Sequence, residues 1–453
     1  MQKILLWKIG LVGLVALLLQ IPVEMIRGLV AERKQARDSV IADIARSSSE
    51  AQKIIGPVIL VPWTRRSFET TSIVDEGGRS RTTRKEKLEH GQVAFLPDSL
   101  SIEGTIELQE KHRSLYRGHL YTLKAVIRGS FALPPGLGVP SDGDALEWGS
   151  AKLVLGIHDS RGIRDNLNLD WDGARLELQP GGVEAAMLPN GVHAALGALA
   201  ASDSKTARNH DFRVTLSLLG TERLDIVPVG RMTTVSLASA WPHPGFLGRI
   251  LPDAGTQISK EGFAATWRTS HFATNLAQLY LRCLQARQCD AFQQHTLAVS
   301  FVQPVDLYQT VERAVKYGFL FVGLTFAAFF LFEILAQMPI HPVQYALVGL
   351  ALALFFLLLL ALSEHLGFAA AYAMAAGACV SLLGFYVGHM LGSAARGSAF
   401  AAALAALYGL LFGLLRSEDH ALLLGSLLVF ACLAGGMIAT RRVNWYAVGF
   451  ERR

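Results

Sequence analysis

Apolar residues along this chain are concentrated in blocks. Six runs, at residues 4–25, 315–335, 343–362, 368–391, 398–415 and 421–439, are almost free of charge, and each is near the ~20 residues that cross a ~30 Å hydrocarbon layer. Between the first run and the second, the chain has the mixed composition of a domain that folds in water. The dominant period there is two. Phe212, Val214, Leu216 and Leu218 alternate with Arg213, Thr215 and Ser217, and Leu297, Val299 and Phe301 alternate with Thr296, Ala298 and Ser300. Ile102, Ile106 and Leu108, then Tyr121, Leu123 and Ile127, then Phe263 and Trp267 follow the same rule. Many strands with one greasy face predict an antiparallel, sandwich-like β-fold. The expected protein is a membrane protein with a six-helix α-helical transmembrane region and an antiparallel β-rich extramembrane domain inserted after the first helix. The expected divisions are a transmembrane anchor at 1–26, the β-rich domain at 27–314, a five-helix bundle at 315–440 and a tail at 441–453.

Local signals refine this outline. The first apolar run could be a cleaved signal peptide, since Lys3 and Lys8 accompany it. It is long, closes on Pro22, Glu24 and Arg27, and shows no small-x-small cleavage site, so an uncleaved anchor is the reading adopted. Val30, Val40, Ile41 and Ile44 among charged residues predict an amphipathic helix leaving the membrane. A buried strand is expected at 54–63, turns at 133–143 and 180–182, and a helix at 274–287.

Charge fixes an expected orientation. Six crossings place both ends of the chain on one side. Arg396, Arg441, Arg442, Arg452 and Arg453 lie on that side, whereas the opposite short loops hold Arg416 beside Glu364, Glu418 and Asp419. Positive-inside bias then makes the termini cytoplasmic and the large domain periplasmic. Arg27, Arg33, Lys34, Arg37, Arg313 and Lys316 border the long loop and argue the other way, but charge on so long a segment weighs less. The net charge of +5 does not imply nucleic acid, because the basic residues adjoin membrane segments or one polar run at 64–87, where a solvated hairpin tip competes with contact to anionic lipid or glycan. Of four cysteines, Cys379 and Cys432 fall in apolar helices. Cys283 and Cys289 could pair, although on one continuous helix a spacing of six would point them to different faces.

Three clusters are candidates for function. Glu333 and His389 fall at matching depth on two spans with His341 in an intervening loop, which fits a proton relay or ion contact, or merely a helix cap near the interface. Glu364, His365, Glu418, Asp419 and His420 occupy two loops on the other side and could ligate a divalent metal if the loops meet, or simply be solvated. Trp241-Pro242-His243-Pro244-Gly245-Phe246 is stiffened by two prolines and fits a partner-contact loop or a rigid turn. Asp159-Ser160-Arg161-Gly162 is explained by a local ion pair. Gly384, Gly388 and Gly392 on one helix, and Ala405, Gly409 and Gly413 on the next, allow close backbone approach, by packing of the two helices or in a dimer. No nucleotide loop, dinucleotide fingerprint, H-E-x-x-H, G-x-S-x-G or Cys/His zinc spacing is present in the sequence, so no enzyme activity, catalytic residue, cofactor or metal is assigned.

The residues Phe332-Glu333-Ile334-Leu335, His341-Pro342-Val343-Gln344-Tyr345-Ala346 and Leu362-Ser363-Glu364-His365 resemble the inner-membrane CreD family. So do Trp241 to Pro244 with Phe246-Leu247-Gly248, the Asp159 turn, Gly56-Pro57 and Asn444-Trp445-Tyr446. The resemblance spans the chain in order. It implies a bacterial inner-membrane protein with a periplasmic domain, tied to cell-envelope integrity and the CreBC stress and nutrient response, and it supplies no catalytic residues; Cys283 and Cys289 are not part of the family pattern. The expected function is non-enzymatic support of the envelope. The expected partners are membrane lipids and an envelope component or protein, with the oligomeric state open. The alternative is a transporter or lipid-handling protein with Glu333 and His389 in its path.

Overall fold

The computed structural model describes residues 2–74, 80–113, 115–138, 145–181, 190–197, 199, 207–286, 288–301, 307–336, 340–417 and 421–441. They divide into two compact units, residues 1–38 with 305–453, and residues 39–304.

In the helical unit the first apolar run does not stop at residue 26. Helices Gln2–Leu18 and Gln20–Ser47 are joined at Leu19, whose N–H donates to Val15 at 3.0 Å and whose carbonyl accepts from Val23 at 3.4 Å. The helical course Gly10–Ser47 has 38 residues, about 57 Å at 1.5 Å per residue, roughly twice the hydrocarbon thickness. Its second half is the amphipathic helix, with Val30 and Ile44 buried.

Helices Pro342–Leu366, Phe368–Met390 and Ala394–Arg416 are also long and apolar enough to span, and Leu307–Lys316 with Gly318–Phe330 forms a fifth candidate bent by 41°. The expectation of six is therefore met by four to five. The helix Ala421–Thr440 carries a shorter apolar stretch, Leu423–Ile438, among the described residues. The turn between two of the spans is a single residue, Gly367, at φ 77°, a left-handed conformation that favours glycine.

Close approach of helices Phe368–Met390 and Ala394–Arg416 occurs through Gly384 and Gly388, where the spacing on the earlier helix placed it, but not through the glycines expected on the later one. A Cβ on Gly397 would lie 2.5 Å from the Gly388 Cα and 2.9 Å from the Gly384 carbonyl. Gly409 and Gly413 meet nothing within 4 Å, so the contact uses the start of the later helix, and Gly392 serves the turn at φ 60°. Elsewhere rings fill the interior. Phe355 lies 4.6 Å from Tyr408 and 5.4 Å from Tyr372, and Phe321 lies 4.6 Å from Tyr408.

The second unit is built on a nine-stranded and an eight-stranded sheet. The expectation of a purely antiparallel fold is corrected. Gln52–Ile55 pairs parallel with Leu224–Val227, and Ser99–Ile106 pairs parallel with Met232–Ser239; the remaining pairings are antiparallel. Alternating apolar residues give a strand a greasy face whichever way its neighbour runs, so periodicity cannot tell the two apart. Ile102, Ile127, Val214 and Val235 from one sheet and Ile54, Ile59, Leu153 and Ile226 from the other belong to one fully buried core. In the central strand Gln52–Val74, Val58 to Val61 are buried in succession, as expected of a strand covered on both faces. The same strand continues into a hairpin with Ser80–Phe95, paired from Ile59 and Phe95 out to Val74 and Ser80. The polar run is this hairpin, with Arg66 and Lys87 exposed on it.

The helix expected at 274–287 is present as Leu276–Ala286, with a separate short helix ahead of it. His271–Thr274 ends at Asn275 in the left-handed region at φ 49°, and Leu276–Ala286 follows. Because that helix stops at Ala286, Cys289 turns back, and Cys283 and Cys289 form a disulfide with Cα atoms 4.4 Å apart.

Candidate functional site

Glu333 lies on helix Gly318–Ala336 and is buried. One carboxylate oxygen accepts from the Ile340 N–H at 3.1 Å, and the other from the Tyr345 hydroxyl at 2.9 Å. The Tyr345 ring is itself wedged against Phe326 at 5.6 Å and Phe329 at 5.1 Å. His341 caps the helix Pro342–Leu366: its Nδ1 accepts from Val343 N–H at 3.3 Å, while Gln344 accepts from the His341 N–H at 3.0 Å. Proline in the first turn costs no hydrogen bond there. Glu333 and His341 thus both secure the start of one helix. His389 does not join them. It is exposed, bonds the Phe385 carbonyl of its own helix at 3.2 Å and rests on the Phe385 ring. The geometry is that of a buried cap, and the expected Glu333–His389 relay is not assembled among the described residues.

At the other end of helix Pro342–Leu366, Glu364 accepts from the Tyr308 hydroxyl at 3.2 Å and faces Arg33 at 3.9 Å. The Arg37 guanidinium lies 5.6 Å from the centre of the Tyr308 ring. Glu312, one turn after Tyr308, pairs with Lys316 at 3.2 Å and Lys34 at 3.8 Å. These contacts join the first helix to helix Leu307–Lys316. His365 is exposed. Glu418, Asp419 and His420 lie outside the described residues, and among those described no three His, Cys, Asp or Glu side chains gather around a possible metal position. What the Glu364 end displays is an ionic and aromatic joint between helices, with tyrosine and arginine as its members.

The proline-rich loop is a tucked turn. The Trp241 indole N–H donates to the His243 carbonyl at 2.8 Å, its backbone N–H donates to Ser239 Oγ at 3.2 Å, and its ring tilts over His119 at 5.0 Å. Phe246 packs edge-on against Trp267 and Phe263. His243 remains exposed. Beneath Trp241 is a shallow cleft lined by Leu108, Glu110, Arg117, His119 and Ser239, with Glu110 and Arg117 paired at 3.4 Å across the hairpin. Burial, with help from Arg117, lowers the His119 pKa against the opposing pull of Glu110, which favours a neutral imidazole at neutral pH. His119 could not be singled out in the sequence, because its partner is more than a hundred residues away and no spacing rule connects them.

Asp159 has more partners than the expected local ion pair. Beyond Arg161 it accepts from the Glu50 N–H at 3.0 Å and the Ser49 hydroxyl at 3.3 Å, and the Gln52 amide bridges Ser49, the Asp159 carbonyl and the Leu219 carbonyl. Burial alone would raise the Asp159 pKa; hydrogen bonds from Arg161 and from backbone N–H groups outweigh it and bring the value to about 2.

Long apolar helices together with a large, two-sheet β-rich domain define a multi-pass membrane protein with an extensive extramembrane insert. A family model described as Inner membrane protein CreD matches residues 4–446. The Inner membrane protein CreD of Escherichia coli (strain K12) is 35% identical over 451 residues, which cover 99% of this chain and 95% of that one. The chain belongs to the CreD family of inner membrane proteins. Among solved structures, an M1 zinc metallopeptidase from Deinococcus radiodurans aligns over 45% of this chain and 42% of its own at 8% identity and a TM-score of 0.18, too low to carry any inference.

Proposed function

We propose that this protein is a non-enzymatic support of the cell envelope, acting through contacts of its β-rich domain with an envelope component on the periplasmic side. The helical unit is the fixed platform. The observation that carries this is the filled helical interior, where Phe321, Phe355, Tyr372 and Tyr408 interlock and are all nearly inaccessible. Transport would call for a polar, wet path at that depth; edge-on and tilted rings packed together fill it instead.

The orientation has independent support. A disulfide at Cys283 and Cys289 suits an oxidising compartment and not the cytoplasm. With the bent pair and the C-terminal apolar helix counted as crossings, six spans leave both termini in the cytoplasm.

Photo-crosslinkers placed on the exposed Leu247 and His243 in intact cells test the proposal. A discrete envelope component should be captured. Capture of random neighbours only, together with solute movement across liposomes by the purified protein, would reverse it in favour of transport.

A further inference from the structure

We propose that a cleft between the first helix and helix Leu307–Lys316 holds the headgroup of an aminophospholipid of the phosphatidylethanolamine type. The cleft has a volume near 350 Å3 and is lined by Arg27, Ala31, Lys34, Gln35, Asp38 and Glu312. On the first helix, residues 27, 31, 34 and 38 follow one another at spacings of four, three and four, so they form a single face. Ala31, with its single methyl group, leaves the gap. Glu312 closes the opposite side.

Position and charge order together select the ligand. Arg27 is the first cation beyond the apolar run, so this end of the cleft is at the level where hydrocarbon gives way to headgroups. Lys34 stands about 10 Å further out along the helix, and Asp38 another turn beyond it. Both basic side chains can bend their polar ends toward a phosphate between them. A phospholipid carries its phosphate next to the glycerol and, in an aminophospholipid, its ammonium farther out. Arg27 at the membrane end, Lys34 level with Glu312, and Asp38 beyond them follow that order. An anionic headgroup would leave two carboxylates facing negative charge or hydroxyls, and a trimethylammonium has no N–H to donate to them.

The existing ion pairs leave room for this exchange. Arg27 pairs with Glu24 at 3.1 Å, both about half-exposed or more, and Asp38, also exposed, with the more buried Arg37 at 2.7 Å. Lys34 and Glu312 are 3.8 Å apart, and Glu312 also meets Lys316 at 3.2 Å. Exposed pairs contribute little, and a ligand bearing both charges can insert between Lys34 and Glu312 and pair with each.

The test uses the full-length protein in detergent, offered equal amounts of dioleoyl phosphatidylethanolamine, phosphatidylglycerol and phosphatidylcholine, with bound lipid counted by native mass spectrometry. Phosphatidylethanolamine should be retained about tenfold over either competitor, the effect of one to two charge-assisted hydrogen bonds. Arg27→Gln should lower retention, and Glu312→Gln with Asp38→Asn should abolish the preference over phosphatidylglycerol. Ala31→Leu fills the gap without touching charge and should reduce retention as well, which keeps the test valid if a charge variant fails to fold. Equal retention of the three lipids, or a preference unchanged in the double variant, overturns the proposal. Displacement by soluble glycerophosphoethanolamine as readily as by the lipid would assign the cleft to a free solute instead.

Discussion

Arg161 donates to both carboxylate oxygens of Asp159, from Nε at 2.9 Å and Nη2 at 2.8 Å, and its remaining Nη1 reaches the Arg46 carbonyl at 2.8 Å. One planar guanidinium thereby ties the last turn of the long helix to the turn after strand Ala151–Ile157. Ser49, Glu50 and Gln52 complete the connection, and Thr221 adds a hydroxyl bond to the Ser49 carbonyl at 2.5 Å. Asp159→Asn keeps the shape and removes the charge. Arg161 is half-exposed, so the pair itself is partly screened, but the backbone donors that Asp159 satisfies are not. The expected loss is about 2 kcal/mol of β-domain stability, and Asp159→Ala should cost more by leaving those donors unmet. Denaturant unfolding of the purified protein followed by tryptophan fluorescence measures both.

The same carboxylate gives an acid dependence with a defined sign. Its folded pKa of about 2 lies below an unfolded value near 3.9, so the ionised form favours the fold. The stabilisation is complete above pH ~4 and disappears as pH falls toward 2, and removing Asp159 should remove it. Between pH 5 and pH 3 the stability difference between the native protein and Asp159→Asn should shrink; a constant difference would show that Asp159 is not the group that titrates.

How much of this was legible in the sequence depended on range. The alternating strands and four to five of the apolar spans are local patterns, and they appear where their residues placed them. Contacts at a distance were not legible. The parallel pairing of Gln52–Ile55 with Leu224–Val227 and the Asp159 network join residues more than a hundred apart, and alternation alone is silent on partner and direction. Pairing of Cys283 with Cys289 turned on whether the helix passed Ala286, which periodicity resolves only within a few residues. Glu333 was singled out as an ionisable residue at membrane depth and is buried, yet Tyr345, which donates to it, looks in the sequence like any ring in an apolar run. His420 and the segment Asn444 to Tyr446 lie outside the described residues.

Helix packing makes a paired prediction. With Gly388 Cα and the Gly384 carbonyl inside van der Waals reach of any Cβ on Gly397, Gly397→Leu must push two backbones apart. The melting temperature in detergent should fall by several degrees, in line with an overpacking cost of about 1–3 kcal/mol. Gly409→Ala and Gly413→Ala enter open space and should leave it unchanged or slightly raised, since alanine favours helix. Equal sensitivity at all three sites would show that the later glycines are packed after all.

The disulfide closes a short loop, with a sequence separation of six. Chain-entropy reasoning gives about 2 kcal/mol for so small a ring. Cys283→Ser with Cys289→Ser should therefore weaken the β-domain modestly without unfolding it, since the two sheets supply the main core. In protein isolated without reductant, maleimide should modify neither cysteine until a reducing agent is added. Immediate labelling of both would remove the compartment argument for a periplasmic domain.

Glu333 separates a cap from a relay. A glutamine at 333 retains a carbonyl oxygen that can accept from the Ile340 N–H or the Tyr345 hydroxyl, so the break before helix Pro342–Leu366 keeps one of its two ties. Glu333→Gln should fold and insert, with a cost near 1 kcal/mol for the lost charge assistance. Tyr345→Phe should cost a similar amount by removing the hydroxyl that donates to the carboxylate, and in the double variant the two costs should fall short of their sum because both act on the same bond. A proton relay predicts otherwise: Glu333→Gln would abolish the cellular phenotype while Tyr345→Phe, which keeps the ionisable group, would preserve much of it. Expression, melting temperature in detergent and complementation of a deletion strain, measured on the same three variants, decide between the two. Matching, mild effects of both single variants establish Glu333 as the residue that fixes where a membrane helix begins.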